Sequence, residues 1–311
     1  MSANVETMFY TGRTAPWHGL GTSVEVAPTS KDALHLAGLD WRVGQENLYT
    51  NLGELVPGYK VNVREDNKAI LGVVTDKYKV VQNEEAFAFT DMLLDHGVQY
   101  ETAGSLNGGR RIWLLAKLPD KYKLVDEEVD PYIVFSNCHD GTGAIKVACT
   151  PVRVVCQNTL NLALDNAKRI WTVNHVGNME SKLEEVRSTL FLTGKYMGML
   201  SKEAEELSRI KLTDKKVYKL IDDLIKIPDN VTETQQNNIL KIKGGIFERY
   251  FDAPDLTILP KNAWRFINAV SDFATHAEPL RRTSNYRENL FAKTIDGHPL
   301  IDKATALVRA A

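Results

Sequence analysis

The chain has 311 residues, 43% of them apolar and 25% charged, the mix of a globular protein long enough to bury a core without a staple or a metal. Its 38 basic and 40 acidic residues leave a formal charge of −2, which excludes a bulk polycation but not a local basic strip. The length fits one large domain or two ordinary ones.

The chain begins with turn formers. Residues 12–21 hold Pro16, Trp17 and His18 and read as an ordered loop packed by its own aromatic. A short helix follows, capped by Thr29 or Ser30 and closed by Gly38. YKVNVRED at 59–66 alternates as a half-buried strand does, Asp66-Asn67 makes a turn, and AILGVVTDKYKVV continues as one or two strands. Asn83 reads as the cap of a helix with Glu84 and Glu85 in its first turn, Ala86, Phe87, Phe89, Leu93 and Leu94 on its apolar side, and Gly97 at its end.

Two strand pairs come next. VQYETAGSL and RRIWLLAKL flank Asn107-Gly108-Gly109, a hairpin turn. YIVFSNC and AIKVACTPVRVVC flank Asp140-Gly141-Thr142-Gly143, and a helix leaves the second strand at Gln157 or Asn158. Hairpins followed by helices predict an α+β fold with a mostly antiparallel sheet. The pattern changes near residue 175, which divides the chain into an α+β domain over 1–175 and a helical region over 176–311.

In the helical region Leu183, Val186, Leu190, Thr193, Met197, Leu200, Ala204 and Leu207 alternate in steps of three and four, a heptad seam for an internal bundle or for subunit assembly. Gly194 and Gly198 on this stretch predict a kink or a close helix contact. Further helices start at Thr213, at Thr232 with Gln235 completing a capping box, and near Pro260. Pro228, Gly244-Gly245 and Pro279 punctuate them.

Candidate chemistry is sparse. The three cysteines, Cys138, Cys149 and Cys156, are an odd set that fits a reducing compartment rather than a disulfide framework. Cys156 follows two valines and reads as buried, although His139 would be near it as a base for a thiol enzyme. Cys138, His139, Cys149 and Cys156 lack the paired short-spaced knuckles of structural zinc, and His18 and His175 are far off in sequence. No phosphate-loop or dinucleotide fingerprint follows a strand, so neither metal nor cofactor is expected. Residues 1–21 show no leader pattern, and no apolar run approaches the roughly 18 residues of a membrane span, so a cytoplasmic protein without a membrane partner is expected.

The strand AIKVACTPVRVV carries the sharper expectation. Parity places Ile145, Val147 and Cys149 on one face and Lys146 and Ala148 on the other. A bulge at Pro151 would bring Arg153 to the side of Lys146. Arg110 and Arg111 beside the hairpin turn, and Lys168 and Arg169 after the helix, extend a basic strip. Gln157 and Asn158 add amides at a helix start, where backbone N–H groups favour phosphate. Tyr78, Trp113 or Tyr132 would offer stacking faces. Such a strip tracks a nucleic-acid backbone. Arg281, Arg282 and Arg287 form a second basic stretch.

PWHGLG at 16–21, FSNCHDGTGAIKVACTPVRVVCQNTL at 135–160 and AWRFINAVSDFATH at 263–276 resemble the phage/plasmid-like protein family known as a domain of unknown function. The resemblance spans nearly the whole chain in order and implies a mobile-element origin without an established reaction. By topology alone the hairpins with a helix across them also resemble the RecT- and Erf-type phage single-strand annealing proteins, which implies self-assembly along DNA. Together these readings predict a protein that binds single-stranded DNA and anneals it. The alternatives are a protein-interaction module acting on a host-defence protein, and an enzyme built on Cys156 or on His18 and His139.

Overall fold

The computed structural model describes residues 5–11, 22–24, 29–91, 97–153, 162, 164, 168–190, 193–280, 293 and 295–310. The fold is α+β, as the pattern of hairpins and helices predicts, with two sheets and nine helices among the described residues. The chain forms two compact units that interleave in sequence. The first comprises residues 1–120, 132–149 and 170–193, and the second 121–131, 150–169 and 194–311.

The first unit contains β1 (Val5–Thr11), β2 (Thr22–Val24), α1 (Ser30–Leu36), β3 (Val43–Tyr49), β4 (Leu55–Arg64), β5 (Ile70–Thr75), α2 (Asn83–Asp91), β6 (Gln99–Leu106) and β7 (Arg111–Lys117). β8 (Tyr122–Leu124) precedes β9 (Glu127–Cys138), β10 (Ile145–Arg153), β11 (Ile170–Val173) and α3 (Met179–Leu190). The larger sheet has the order β11-β10-β9-β7-β6-β1-β2, with β8 paired to β9, and β3-β4-β5 form a separate three-stranded sheet. The pairs β1–β6, β6–β7, β7–β9, β8–β9, β10–β11, β3–β4 and β4–β5 are antiparallel, and β1 runs parallel to β2. The strand β11, where Ile145, Lys146, Val147 and Ala148 pair with Val173, Thr172, Trp171 and Ile170, is not foreseen by the pattern.

Alternate residues of β7, β9, β10 and β11 (Ile112, Leu114, Ile133, Phe135, Ile145, Val147 and Trp171 among them) join Ala33, Leu34, Ala86 and Phe87 of α1 and α2 in one core. The opposite face is covered as well, since Trp113, Val134, Ser136 and Ala148 are buried. Burial on both faces makes IWLLA and YIVF continuous apolar runs instead of alternating ones. It also removes the stacking platform. Tyr78, Trp113 and Tyr132 are all buried, so none offers a ring face to a base.

Local signals place most helix starts. Thr29 accepts from the Asp32 backbone, and Asp32 returns a bond to the Thr29 N–H, a capping box. Asn83 is the exception. Gln82 holds the cap position, its carbonyl accepting from Ala86 N–H and its N–H donating to Glu85, while the Asn83 side chain turns into the core. A buried amide with partners on three sides outweighs one helix cap.

The second unit contains α4 (Thr193–Arg209, whose first residue belongs to the first unit), α5 (Asp214–Leu224), α6 (Glu233–Asp252), α7 (Pro254–Thr257), α8 (Ala263–His276) and α9 (Pro299–Ala310). Thr213 caps α5, Thr232 and Gln235 form the predicted capping box of α6, and Asn262 caps α8. The α4 half of the heptad seam is intramolecular. Met197, Leu200, Ala204 and Leu207 are buried within the chain and leave no assembly face there. α4 runs through Gly194 and Gly198, and a side chain at Gly198 would meet open space, so the predicted close helix contact is not there. α6 likewise runs through Gly244-Gly245 instead of ending. Gly245 is the point where the Phe273 ring of α8 lies against α6, since a Cβ there would fall 2.7 Å from that ring.

α8 is buried on every side from Ala263 to Ser271. Such a helix must satisfy its polar groups internally. Arg265 does so by donating from Nε and Nη2 to the Tyr250 carbonyl and from Nη1 to the Leu259 carbonyl at 3.0 Å. Among the described residues no helix is long and apolar enough to cross a membrane.

Candidate functional site

The hairpin tips of β6–β7 and β9–β10 press against the three-stranded sheet. The approach is close: a Cβ on Gly72 of β5 would lie 2.5 Å from the Asp140 carbonyl oxygen, and one on Gly109 would lie 2.9 Å from the Trp41 ring. Asn107, Gly108 and Gly109 all have positive φ, which lets the first tip fold back sharply enough to pass the Trp41 ring. The His139 N–H then donates to the Arg110 carbonyl at 2.7 Å, joining the two tips.

Beneath the tips lies a polar centre in which the end of β9 is clamped. Asn62 Nδ2 donates to the His139 carbonyl at 2.7 Å, Tyr78 Oη to the Cys138 carbonyl at 2.6 Å, and Asn137 Nδ2 to the Val81 carbonyl at 3.1 Å. Asn83 Nδ2 donates to the carbonyls of Leu39 and Trp41 at 2.9 and 3.2 Å, so its Oδ1 faces His139 Nε2 at 2.9 Å as an acceptor. This fixes the tautomer: Nε2 carries the proton, and Nδ1 is a bare, buried nitrogen without a hydrogen-bond partner.

His175 complements it. Its Nδ1 lies 2.9 Å from the Lys79 carbonyl and therefore donates, leaving Nε2 bare, while its ring stacks on Tyr78 with centroids 4.4 Å apart. Although distant in sequence, His175 is close enough for its charge to oppose protonation of His139. Burial, with His175 second, lowers the His139 pKa to about 3, and burial lowers that of His175. Both rings are neutral under ordinary conditions.

Cys138 is 3% exposed and Cys149 fully buried. Burial pushes the Cys138 thiol up, against the pull of Arg111 and Lys146. A buried, protonated thiol is not poised as a nucleophile. Among the described residues no three His, Cys, Asp or Glu side chains cluster to hold a metal.

The strip residues fall as follows. Arg110 is exposed in the β6–β7 turn. Arg111 stands opposite Cys138, half-buried, with its Nε buried and lacking a hydrogen-bond partner. Lys146 is half-buried in β10, and its charge, like that of Arg111, acts on Cys138. The structure therefore brings Arg110, Arg111 and Lys146 to one end of the larger sheet, all in the first unit. Lys168 is exposed and belongs to the second unit, as does Arg169. Arg169 is removed from any solvent-facing strip: it is buried, and its Nη2 donates to the Ile295 carbonyl at 2.7 Å. Arg153 ends β10, but its side chain lies outside the described residues, as do Gln157, Asn158, Cys156, Trp17, His18, Arg281, Arg282 and Arg287.

Sequence reasoning missed Arg64. It is buried, stacks over Trp41 at 4.3 Å, and pairs with Asp66 at 2.8 Å. The YKVNVRED alternation marks a strand but not that its arginine turns inward.

No curated protein and no solved structure matches the chain. A family match covers residues 70–294, from β5 through both hairpins and most of the helical unit, and includes Tyr78, Asn83, Asn137 and His139 of the clamp at the end of β9 but not Asn62. The chain belongs to the family described as a domain of unknown function (DUF932).

Proposed function

We propose that the protein, of phage or plasmid origin, binds single-stranded DNA through its backbone and brings complementary strands together, without a cofactor and without breaking bonds. The observation that supports this reading is the cluster at the end of the larger sheet. Arg110, Arg111 and Lys146 meet there with Asp140, whose carboxylate is engaged by the Thr142 N–H and hydroxyl at 2.9 and 2.7 Å. Three cations held by hairpin backbone form a preorganised point of phosphate contact. The origin rests on the resemblance of the 16–21, 135–160 and 263–276 blocks.

The test is fluorescence anisotropy of labelled single- and double-stranded oligonucleotides at several salt concentrations. Three phosphate contacts predict a log affinity that falls linearly with log salt, with a slope of about −2 on single strands. Arg110→Glu weakens binding to all sequences alike. Absence of binding at low salt, or a flat salt response, would sink the reading.

A second reading, recognition of a host protein, is favoured by exposed apolar residues of the β3-β4-β5 sheet. Tyr49, Leu55, Tyr59, Ile70 and Val73 of these strands are all exposed, and a concentration of exposed apolar side chains on one small sheet marks interaction surfaces. It predicts a purified complex that Val73→Glu disrupts and Arg110→Glu does not.

A further inference from the structure

The helical unit holds a cavity of about 560 Å³ between α6, α8 and the approach to α9, a size that suits a small organic ligand. Its apolar wall is Ile242, Phe273 and Ala274, and its polar lining is cationic. Lys241, Arg249 and Lys293 line it, with Glu278 the single carboxylate among the described lining residues.

Two of its groups are fixed in role. Arg249 pairs with Asp272 at 2.9 Å, donates to the Gly245 carbonyl at 3.0 Å and lies over the Phe273 ring at 5.2 Å. Its charge is paired with Asp272 and its Nη1 is committed to backbone, so it contributes field rather than a bidentate grip. His298 Nδ1 accepts from the Leu300 N–H at 3.2 Å, so its single ring proton sits on Nε2. Burial, then Lys293, lowers its pKa to about 4, which keeps the ring neutral and makes its remaining nitrogen a donor.

We propose that this cavity binds a small phosphate monoester of nucleotide size, its phosphate held by Lys241, Lys293 and His298 Nε2–H and its organic body against Phe273 and Ile242. Two compact ammonium groups and one neutral donor on separate elements suit a tetrahedral dianion. A carboxylate, which favours a planar fork, finds the one arginine among the described lining residues already paired. The site lies in a different unit from Arg110, Arg111 and Lys146 and stands independently of the DNA-binding reading.

The test is titration calorimetry of the full chain with thymidine 5′-monophosphate, glucose 6-phosphate, thymidine and inorganic phosphate. The two monoesters are expected to bind more tightly than thymidine or inorganic phosphate by about tenfold or more, the weight of charge-assisted hydrogen bonds combined with apolar contact. The difference between the two monoesters tells a nucleotide from a sugar phosphate. Lys241 and Lys293 are exposed on the surface, and the double variant Lys241→Met, Lys293→Met, checked for an unchanged melting transition, should lose about a hundredfold in affinity. No heat with either monoester overturns the proposal. So does thymidine or inorganic phosphate binding as tightly as the monoesters, or a double variant with unchanged affinity.

Discussion

His139 donates its Nε2 proton to Asn83 Oδ1 at 2.9 Å, in a centre where both residues are buried. Because Asn83 Nδ2 is committed to two backbone carbonyls, the amide cannot flip, and the imidazole stays neutral. In the unfolded chain His139 titrates near 6.5, and in the fold near 3. Between these values the unfolded state holds the extra proton. Stability is therefore complete above about pH 6.5 and declines as pH falls toward 3, by about 1.4 kcal/mol per pH unit for this histidine, with His175 adding in the same direction. Urea unfolding followed by tryptophan fluorescence at pH 7.5, 6.5 and 5.5 measures the slope. His139→Gln should flatten it, and an unchanged slope in that variant would count against the assignment.

Gly72→Ala should destabilise the protein by about 2–3 kcal/mol, because the new methyl would lie 2.5 Å from backbone oxygen of Asp140 and neither strand nor turn can yield cheaply. Gly53→Ala meets nothing within 4 Å, and its cost comes only from a φ of +80°, about 1 kcal/mol. Thermal denaturation of the two variants should rank them in that order.

Cys138 and Cys149 should resist a thiol-specific reagent in the native protein and react fully in denaturant, since both are buried and the Cys138 thiol is pushed up. Mass mapping of the labelled peptides tests each site. Fast native labelling of Cys138 would contradict its burial.

Arg265→Lys should be far from conservative. A lysine ammonium cannot reach the Tyr250 and Leu259 carbonyls together, so a buried charge and at least one carbonyl lose their partners. The expected loss is about 2–4 kcal/mol. Chemical denaturation followed by circular dichroism, which reports the helical unit, provides the measurement.

Much of the local architecture is legible in the residues alone. The Thr29 and Thr232 caps, the Asn107-Gly108-Gly109 hairpin and the α+β class depend on interactions within a few positions, which order in sequence determines. Contacts closed over long loops are not legible in this way. His175 meets the centre around His139, Asn83 leaves its helix cap for two distant carbonyls, and Gly245 lies within a helix to admit a ring from α8. Arg169 looks like surface charge until Ile295 is seen to accept from it. A residue's type limits the bonds it can form. Only the folded chain decides which partners stand within hydrogen-bond reach, because burial makes an unmet polar group costly and the packing of remote segments determines where such a group can be met.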